Sequence, residues 1–117
     1  MLRIKSDNFG VLAKIQGLPA KADELRERLR ELVQLVKTQI GCLSCELIEN
    51  SCDSTEFTLL EEWSNEKAHE AYLRTEPFQN IMKTIRRLVS SEMDYRKQML
   101  QANSVRYAVN SYCLAVR

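Results

Sequence analysis

The stretch from Gly41 to Phe78, GCLSCELIENSCDSTEFTLLEEWSNEKAHEAYLRTEPF, contains the pattern that decides the fold. Two runs of alternating residues, Cys42 to Glu49 and Glu56 to Trp63, are separated by the turn-forming residues NSCDST and predict a β-hairpin. A helical pattern follows at once and carries the only histidine, His69, and then Tyr72. An indole, an imidazole and a phenol therefore lie close together at a strand-to-helix junction, where a small α+β domain can form a pocket between its sheet and its helices.

Alternation assigns the side chains of the hairpin to two faces, because successive residues of a strand point in opposite directions. In the first strand, one face is predicted to carry Leu43, Cys45 and Leu47, and the other Cys42, Ser44, Glu46 and Ile48. In the second strand, one face is predicted to carry Phe57, Leu59, Glu61 and Trp63, and the other Thr58, Leu60 and Glu62. If the Trp63 face looks toward the helices, its indole can form one wall of an apolar pocket and its N–H can bind a substrate oxygen.

A strand and a long helix precede the hairpin. Phe9 to Gln16 alternates and predicts a strand, which Gly17 and Pro19 end. From about Ala20 to Gln39, apolar residues recur every three or four positions, as in an amphipathic helix. That stripe consists of Ala22, Leu25, Leu29, Leu32, Val36 and Ile40. Gly41 stands where a glycine that caps the end of a helix is expected.

Two shorter helices and a last strand follow the hairpin. Ser64 is predicted to cap a helix from Asn65 to about Arg74, and Thr75 to cap the next one. The second of these helices has an apolar stripe of Phe78, Ile81, Met82, Ile85, Leu88 and Val89. Met93 to Leu100 alternates and predicts the final strand.

The predicted order of elements is β-α-β-β-α-β, which places the chain in the α+β class. With right-handed crossovers this order gives a ferredoxin-like split β-α-β sandwich, a four-stranded antiparallel sheet with the helices on one face. The other face would carry Leu12, Ile48 and Leu60. An open sheet face with apolar residues usually meets a partner, so we expect a homodimer formed through this face.

Length and composition limit the function classes. The chain has 117 residues, of which 44% are hydrophobic, and suits one domain. We assign residues 1–101 to that domain and 102–117 to a C-terminal arm that packs on an edge of the sheet or on the partner subunit. A net charge of +1 with interspersed signs argues against nucleic acid and anionic membranes as partners. No segment has the pattern of a signal peptide or the length of a membrane span, so a cytoplasmic location is expected.

The spacing of Cys42 and Cys45 is that of a C-x-x-C motif, which suggests a redox pair or a zinc site. The strand pattern argues against both, because residues three apart on a regular strand point to opposite faces. The sequence has no second C-x-x-C and only one histidine. We therefore expect no metal, and interpret the cysteines as small packing residues.

Three segments together resemble the antibiotic biosynthesis monooxygenase family of dimeric ferredoxin-like α+β barrels. They are FGVLAKIQGLPAKADEL at the first strand and helix, QIGCLSCELIEN, and FTLLEEWSNEKAHEAYLRTEPFQNI. The resemblance covers roughly residues 8 to 100. Its most specific part is the G-C-L start of a strand, followed one hairpin later by E-x-W and a helix that ends before P-F.

The resemblance implies a cofactor-independent monooxygenase that acts on a small aromatic or quinol-like substrate with O2. It places the family's tryptophan at Trp63, whereas the histidine often found nine residues later is Tyr72 here and a second frequent histidine is Pro77. His69 is then the candidate base and Tyr72 the candidate donor to a developing oxyanion. The residues expected to line the substrate site are Trp63, Phe57, Leu59, Glu61 and Phe78.

Two other functions remain open at this stage. A haem-binding or haem-degrading protein would need His69 as the iron ligand, and a non-catalytic dimer that binds a small ligand would need only the pocket. His69 beside Glu70 is also compatible with a solvated surface residue, and Trp63 and Tyr72 with plain core packing. For Glu61 the alternative to a buried site carboxylate is a salt bridge to a lysine or arginine.

Overall fold

Four strands form one antiparallel sheet in the part of the chain that the computed structural model describes, which is residues 8–90 and the backbone of Asp94–Met99. The strands are β1 (Phe9–Gln16), β2 (Cys42–Glu49), β3 (Glu56–Trp63) and β4 (Asp94–Met99), in the spatial order β2-β3-β1-β4. The bounds of β1, β2 and β3 agree with those predicted from alternation. The predicted arm, residues 102–117, lies outside the described residues.

Three α-helices connect these strands within the described residues. They are α1 (Ala22–Lys37), which follows a short 3-10 turn at Pro19–Lys21, then α2 (Glu66–Leu73) and α3 (Glu76–Arg86). Helix α1 is shorter at both ends than the predicted span, and Ile40 beyond its end is 95% exposed. The prediction that Ile40 continues the buried stripe is therefore wrong. None of the helices in the described ranges has the length and apolar character required to cross a membrane.

The helices pack on one face of the sheet and enclose the hydrophobic core, which confirms the predicted α+β ferredoxin-like fold. Helix α1 contacts β2 and α3, and α2 contacts β3 and α3. The sheet contributes a continuous buried row, with Val11 and Ile15 from β1 and Phe57, Leu59 and Trp63 from β3. On the opposite face, Leu60 forms a small separate cluster with the half-buried Leu12 and Ile48, as the alternation predicts.

Strand β2 contains a β-bulge that changes the predicted faces. Cys42 pairs with Trp63, whereas Ser44 pairs with Glu62 and Cys45 with Glu61, so Leu43 is the extra residue. Cys42 and Cys45 are therefore both on the core face, and Leu43 is about half exposed. The predictions that Leu43 shares a face with Cys45, and that the two cysteines point in opposite directions, are wrong. A single extra residue shifts the alternation of everything before it.

Gly41 brings the start of β2 close to the start of α2. Its φ of +91° lies in the left-handed region, and its carbonyl accepts a hydrogen bond from the Ser64 backbone N–H at 2.8 Å. A Cβ atom at this position would come within 2.5 Å of the Ala68 Cβ atom. The glycine is thus required both by the backbone conformation and by the close approach of α2.

Candidate functional site

Strand β3 positions Glu61 and Trp63 on the core face, at the end of the strand that leads into α2. Because β3 lies between β1 and β2, both side chains are flanked within the sheet: Val11 and Cys45 are opposite Glu61, and Phe9 and Cys42 are opposite Trp63. Glu61 is 6% exposed and Trp63 is fully buried. The predicted assignment of both residues to one face of the strand is confirmed, and that face is the one covered by the helices.

Helix α2 adds His69 and Tyr72, which lie three residues apart and so on one side of the helix. Both are buried at 2% exposure, which rejects the interpretation of His69 as a solvated surface residue. The helix begins one residue later than predicted. Asn65 rather than Ser64 is its N-cap, with its side-chain oxygen accepting a hydrogen bond from the Ala68 backbone N–H at 2.9 Å.

The side chains from β3, α2 and α3 form one continuous aromatic group. The Trp63 ring lies 5.4 Å from His69 in an edge-to-face arrangement and 5.3 Å from Tyr72, measured between ring centroids. Tyr72 continues the group to Phe78 at 4.8 Å, and Phe9 of β1 contacts the other side of His69 at 5.8 Å. Such geometry gives an apolar, rigid wall around the imidazole.

Glu61 is the ionisable carboxyl group that lies next to Trp63 and His69. The Trp63 indole Nε1–H donates a 2.8 Å hydrogen bond to Glu61 Oε1, and His69 Nε2 lies 3.9 Å from the same oxygen. Burial raises the pKa of the Glu61 carboxyl from its ordinary 4.5 to about 7, and the indole hydrogen bond opposes that shift. Within the described residues its ion-pair partner is His69 and not a lysine or arginine, so the predicted alternative of a Lys or Arg salt bridge is not found.

The two cysteines of β2 lie beside this carboxyl. Burial and the neighbouring Glu61 raise the pKa of the Cys45 thiol, and the same two causes raise that of Cys42. Both are free thiols. In the described part of the chain, no group of three or more His, Cys, Asp or Glu side chains is arranged to hold a metal ion. At neutral pH the thiols are therefore uncharged neighbours of Glu61.

The structure brings together five of the seven predicted site residues, and places Phe57 at the far end of β3. Trp63, His69, Tyr72, Glu61 and Phe78 form the group described above. Phe57 is six residues before Trp63 on β3, about 20 Å away along an extended strand, and the Arg26 guanidinium lies 5.5 Å from its ring centre. Leu59 is between the two ends. Both are buried in the core cluster, and Leu59 is two residues before Glu61 on the same face of β3.

Phe9 and Cys45 are neighbours of the site that were not among the predicted site residues. Phe9 is the first member of the alternating face of β1, and Cys45 is on the core face of β2. The alternation of apolar residues therefore predicted that both are buried. Their contact with the site depends on the pairing register of β3 with its two neighbours. Alternation within one strand does not contain that information.

Comparison with known proteins identifies the family and the fold. A family model described as antibiotic biosynthesis monooxygenase matches residues 8–84. Among solved structures, a Pseudomonas aeruginosa protein is 27% identical with a TM-score of 0.75, and covers 83% of this chain and 97% of its own. A conserved Methanosarcina mazei protein is 21% identical with a TM-score of 0.78, covering 82% and 95%.

A third structure carries the family's name. It is a Nitrosomonas europaea protein provisionally named an antibiotic biosynthesis monooxygenase, which is 14% identical with a TM-score of 0.79 and covers 86% of this chain and 97% of its own. At these identities the likeness shows a shared fold. The search of curated proteins found no match.

Proposed function

The chain belongs to the antibiotic biosynthesis monooxygenase family, and on that premise we propose that it is a cofactor-independent monooxygenase acting on a small phenol or quinol-like aromatic substrate with O2. The observation that carries the proposal is the buried group of Glu61, Trp63, His69 and Tyr72. It combines two proton-exchanging side chains 3.9 Å apart with an aromatic wall. Buried titratable groups of this kind are more common at functional sites than in ordinary cores.

The chemistry requires little from the protein, because the substrate supplies the electrons. His69 removes the phenolic proton, and the electron-rich anion then reacts with O2. For a substrate with a ring CH2 group, one oxygen atom becomes the new carbonyl and the other leaves as water with the two hydrogens of that carbon. Tyr72 donates a hydrogen bond to the developing oxyanion, and Trp63 and Phe78 hold the aromatic ring.

Substrate access sets a condition on this mechanism. Trp63, His69 and Tyr72 are each no more than 2% exposed, so the imidazole meets a substrate only when α2 moves away from the sheet. Helix α2 has eight residues and is separated from α3 by a break at Thr75, which suits such a movement. Closure around the substrate would then exclude water from the reacting anion.

The proposal extends to the assembly and the location of the protein. A homodimer through the open face of the sheet is supported by the apolar cluster of Leu60 with Leu12 and Ile48, which lies on the side opposite the helices. A cytoplasmic location remains the expectation from the sequence. No cofactor is required, because O2 and the substrate account for all electrons of the reaction.

Oxygen uptake by purified, metal-free protein tests the proposal. Hydroquinones, dihydroxynaphthalenes and anthrones serve as substrates, with His69→Gln and Trp63→Phe as site variants. Lys67→Ala, on the exposed side of α2, is the matched control. We expect uptake above the buffer rate that falls about a hundredfold in His69→Gln and is unchanged in the control.

The opposite outcome has a clear meaning. If folded wild-type protein consumes no oxygen with any of these compounds but binds them with a change in Trp63 fluorescence, the site is a non-catalytic binding site. A coloured protein with a haem absorption band would instead support the haem function. Either result would overturn the monooxygenase proposal.

A further inference from the structure

Glu61 has no defined step in the mechanism above, yet it is the buried carboxyl closest to the proposed base. Its Oε1 atom accepts the indole N–H of Trp63 at 2.8 Å and lies 3.9 Å from His69 Nε2. Its neighbours within the sheet are Val11 and Cys45. A charged carboxylate in such a place is costly unless a second group balances it.

We propose that Glu61 is a positioning residue for His69, and that the two buried side chains share one proton around neutral pH. The carboxylate faces Nε2, which favours the tautomer with hydrogen on that atom and leaves the basic lone pair on Nδ1. When His69 accepts the substrate proton, the imidazolium forms beside an ionised Glu61 and is stabilised by it. The catalytic part of this inference rests on the proposed function, whereas the sharing of the proton does not.

The surroundings of the pair permit this arrangement. Among the described residues, the titratable groups next to the pair are the Cys42 and Cys45 thiols of β2 and the phenol of Tyr72 on α2, whose ring centroid lies 6.3 Å from that of His69. Both thiols have raised pKa values and are uncharged at neutral pH. Lys37, in the last turn of α1, acts on the cysteines at longer range. The elevated pKa of Glu61, about 7, agrees with a carboxyl that exchanges its proton in this range.

The composition of the chain makes a direct test possible. His69 is the only histidine and Trp63 the only tryptophan, so the imidazole and indole resonances in an NMR spectrum need no assignment. The experiment follows both resonances from pH 5 to 9 in wild type and in Glu61→Gln, whose amide oxygen can still accept the indole hydrogen bond. Glu62→Gln is the control. It removes the same charge at the adjacent residue, whose carboxylate accepts a hydrogen bond from Asn8 and not from Trp63.

In wild type we expect the indole N–H and the imidazole signals to shift together, with a common midpoint near pH 7. In Glu61→Gln the imidazole midpoint should fall by about one pH unit because the neighbouring negative charge is gone. The indole signal should then shift much less with pH, and only with that lowered midpoint, because the carboxyl that accepts its hydrogen bond no longer titrates. Glu62→Gln should behave as wild type. Separate midpoints in wild type, or an unchanged imidazole midpoint in Glu61→Gln, would overturn the proposal. Glu61→Asp is the second variant, and it should restore a pH-dependent indole signal.

The catalytic part is tested separately by oxygen uptake. We expect kcat to rise through about pH 7 in wild type and to be at least about tenfold lower in Glu61→Gln, with KM changed less than kcat. Coupled NMR titrations without any oxygen uptake would support the shared proton but overturn the monooxygenase proposal. Oxygen uptake that is equal in wild type and Glu61→Gln would support the monooxygenase proposal but overturn the catalytic role of Glu61.

Discussion

The two ends of strand β3 face the same core and are equally buried, but they differ in chemistry. At the apolar end, Phe57 packs in a cluster with Ile15, Leu25 and Leu29, all of which are at most 1% exposed. At the polar end, Glu61, Trp63, His69 and Tyr72 are buried beside one another. A core made for stability alone resembles the apolar end, because burying a carboxyl and an imidazole costs free energy that leucine or phenylalanine would not. This difference is expected if the polar end performs the function proposed above.

The largest expected effect is at the apolar end. Phe57→Ala removes a fully buried aromatic ring and should lower the free energy of unfolding by about 3–5 kcal/mol, to the same extent at pH 5 and pH 8. Urea denaturation followed by Trp63 fluorescence measures this. A loss that depended on pH would show that the two ends are coupled and would weaken the comparison.

At the polar end, the wild-type protein should become less stable as the pH rises. The folded-state pKa of Glu61, about 7, is above the ordinary 4.5, so between these values the folded protein holds a proton that the unfolded chain releases. The stabilisation is complete below about pH 4.5 and is lost as the pH rises through about 7. The loss from this group amounts to about 3 kcal/mol.

Glu61→Gln cannot ionise, so its free energy of unfolding should exceed that of wild type at pH 8 and approach it at pH 5. Urea denaturation at both values measures the difference, and Glu62→Gln serves as the matched control. A Glu61→Gln variant that is less stable than wild type at both values would mean that the carboxylate is well compensated in the folded state. Burying the side chains at the two ends of β3 would then cost a similar amount of folding free energy.

Substitutions at Gly41 test how closely α2 packs against the start of β2 at the polar end. Gly41→Ala places a Cβ atom 2.5 Å from that of Ala68 and forces a left-handed φ on alanine, for an expected loss of about 2 kcal/mol. The double variant Gly41→Ala/Ala68→Gly relieves the steric contact but not the backbone strain. It should therefore be more stable than the sum of the two single changes predicts, as a thermal-denaturation double-mutant cycle would show. Strict additivity of the two changes in stability would mean that α2 moves away and avoids the contact between residues 41 and 68.

The smallest expected effect is at Ile40. Since Ile40 is 95% exposed, Ile40→Ser should change the free energy of unfolding by less than about 0.5 kcal/mol. Val36→Ala, at a fully buried position of α1, is the contrasting variant and should cost about 2 kcal/mol. A large loss in Ile40→Ser, measured in the same urea titration, would show that this side chain is covered in solution.

The sequence predicted the elements better than it predicted their contacts. The bounds of β1, β2 and β3 follow from alternation, since each strand buries one face. The Ile40 error arose because a helical period continues past the point where the helix ends, and the Leu43 error because alternation assumes a regular strand. Local patterns report burial, whereas helix ends and bulges are decided by the neighbouring elements.

The candidate site shows the same division. Trp63, His69 and Tyr72 could be identified because they are rare residue types at one junction of strand and helix. The 3.9 Å approach of Glu61 to His69 could not be predicted, because it depends on how α2 is seated on the sheet. The resemblance to the family implied the fold, but it placed the frequent histidines at the positions of Tyr72 and Pro77 and gave no role to His69.

The bulge in β2 has a consequence for how this chain tolerates changes in length. β2 is an edge strand, and Leu43 is accommodated without disturbing the pairing of residues 44–49 with β3. Deleting Leu43 would bring Ser44 directly after Cys42 and restore regular alternation, with Cys42 still on the core face opposite Trp63. The residues from 44 onward, including Cys45 beside Glu61, would keep their places. The edge of the sheet thus absorbs a one-residue difference and insulates the interior of the domain from insertions and deletions that arise in the connection from α1.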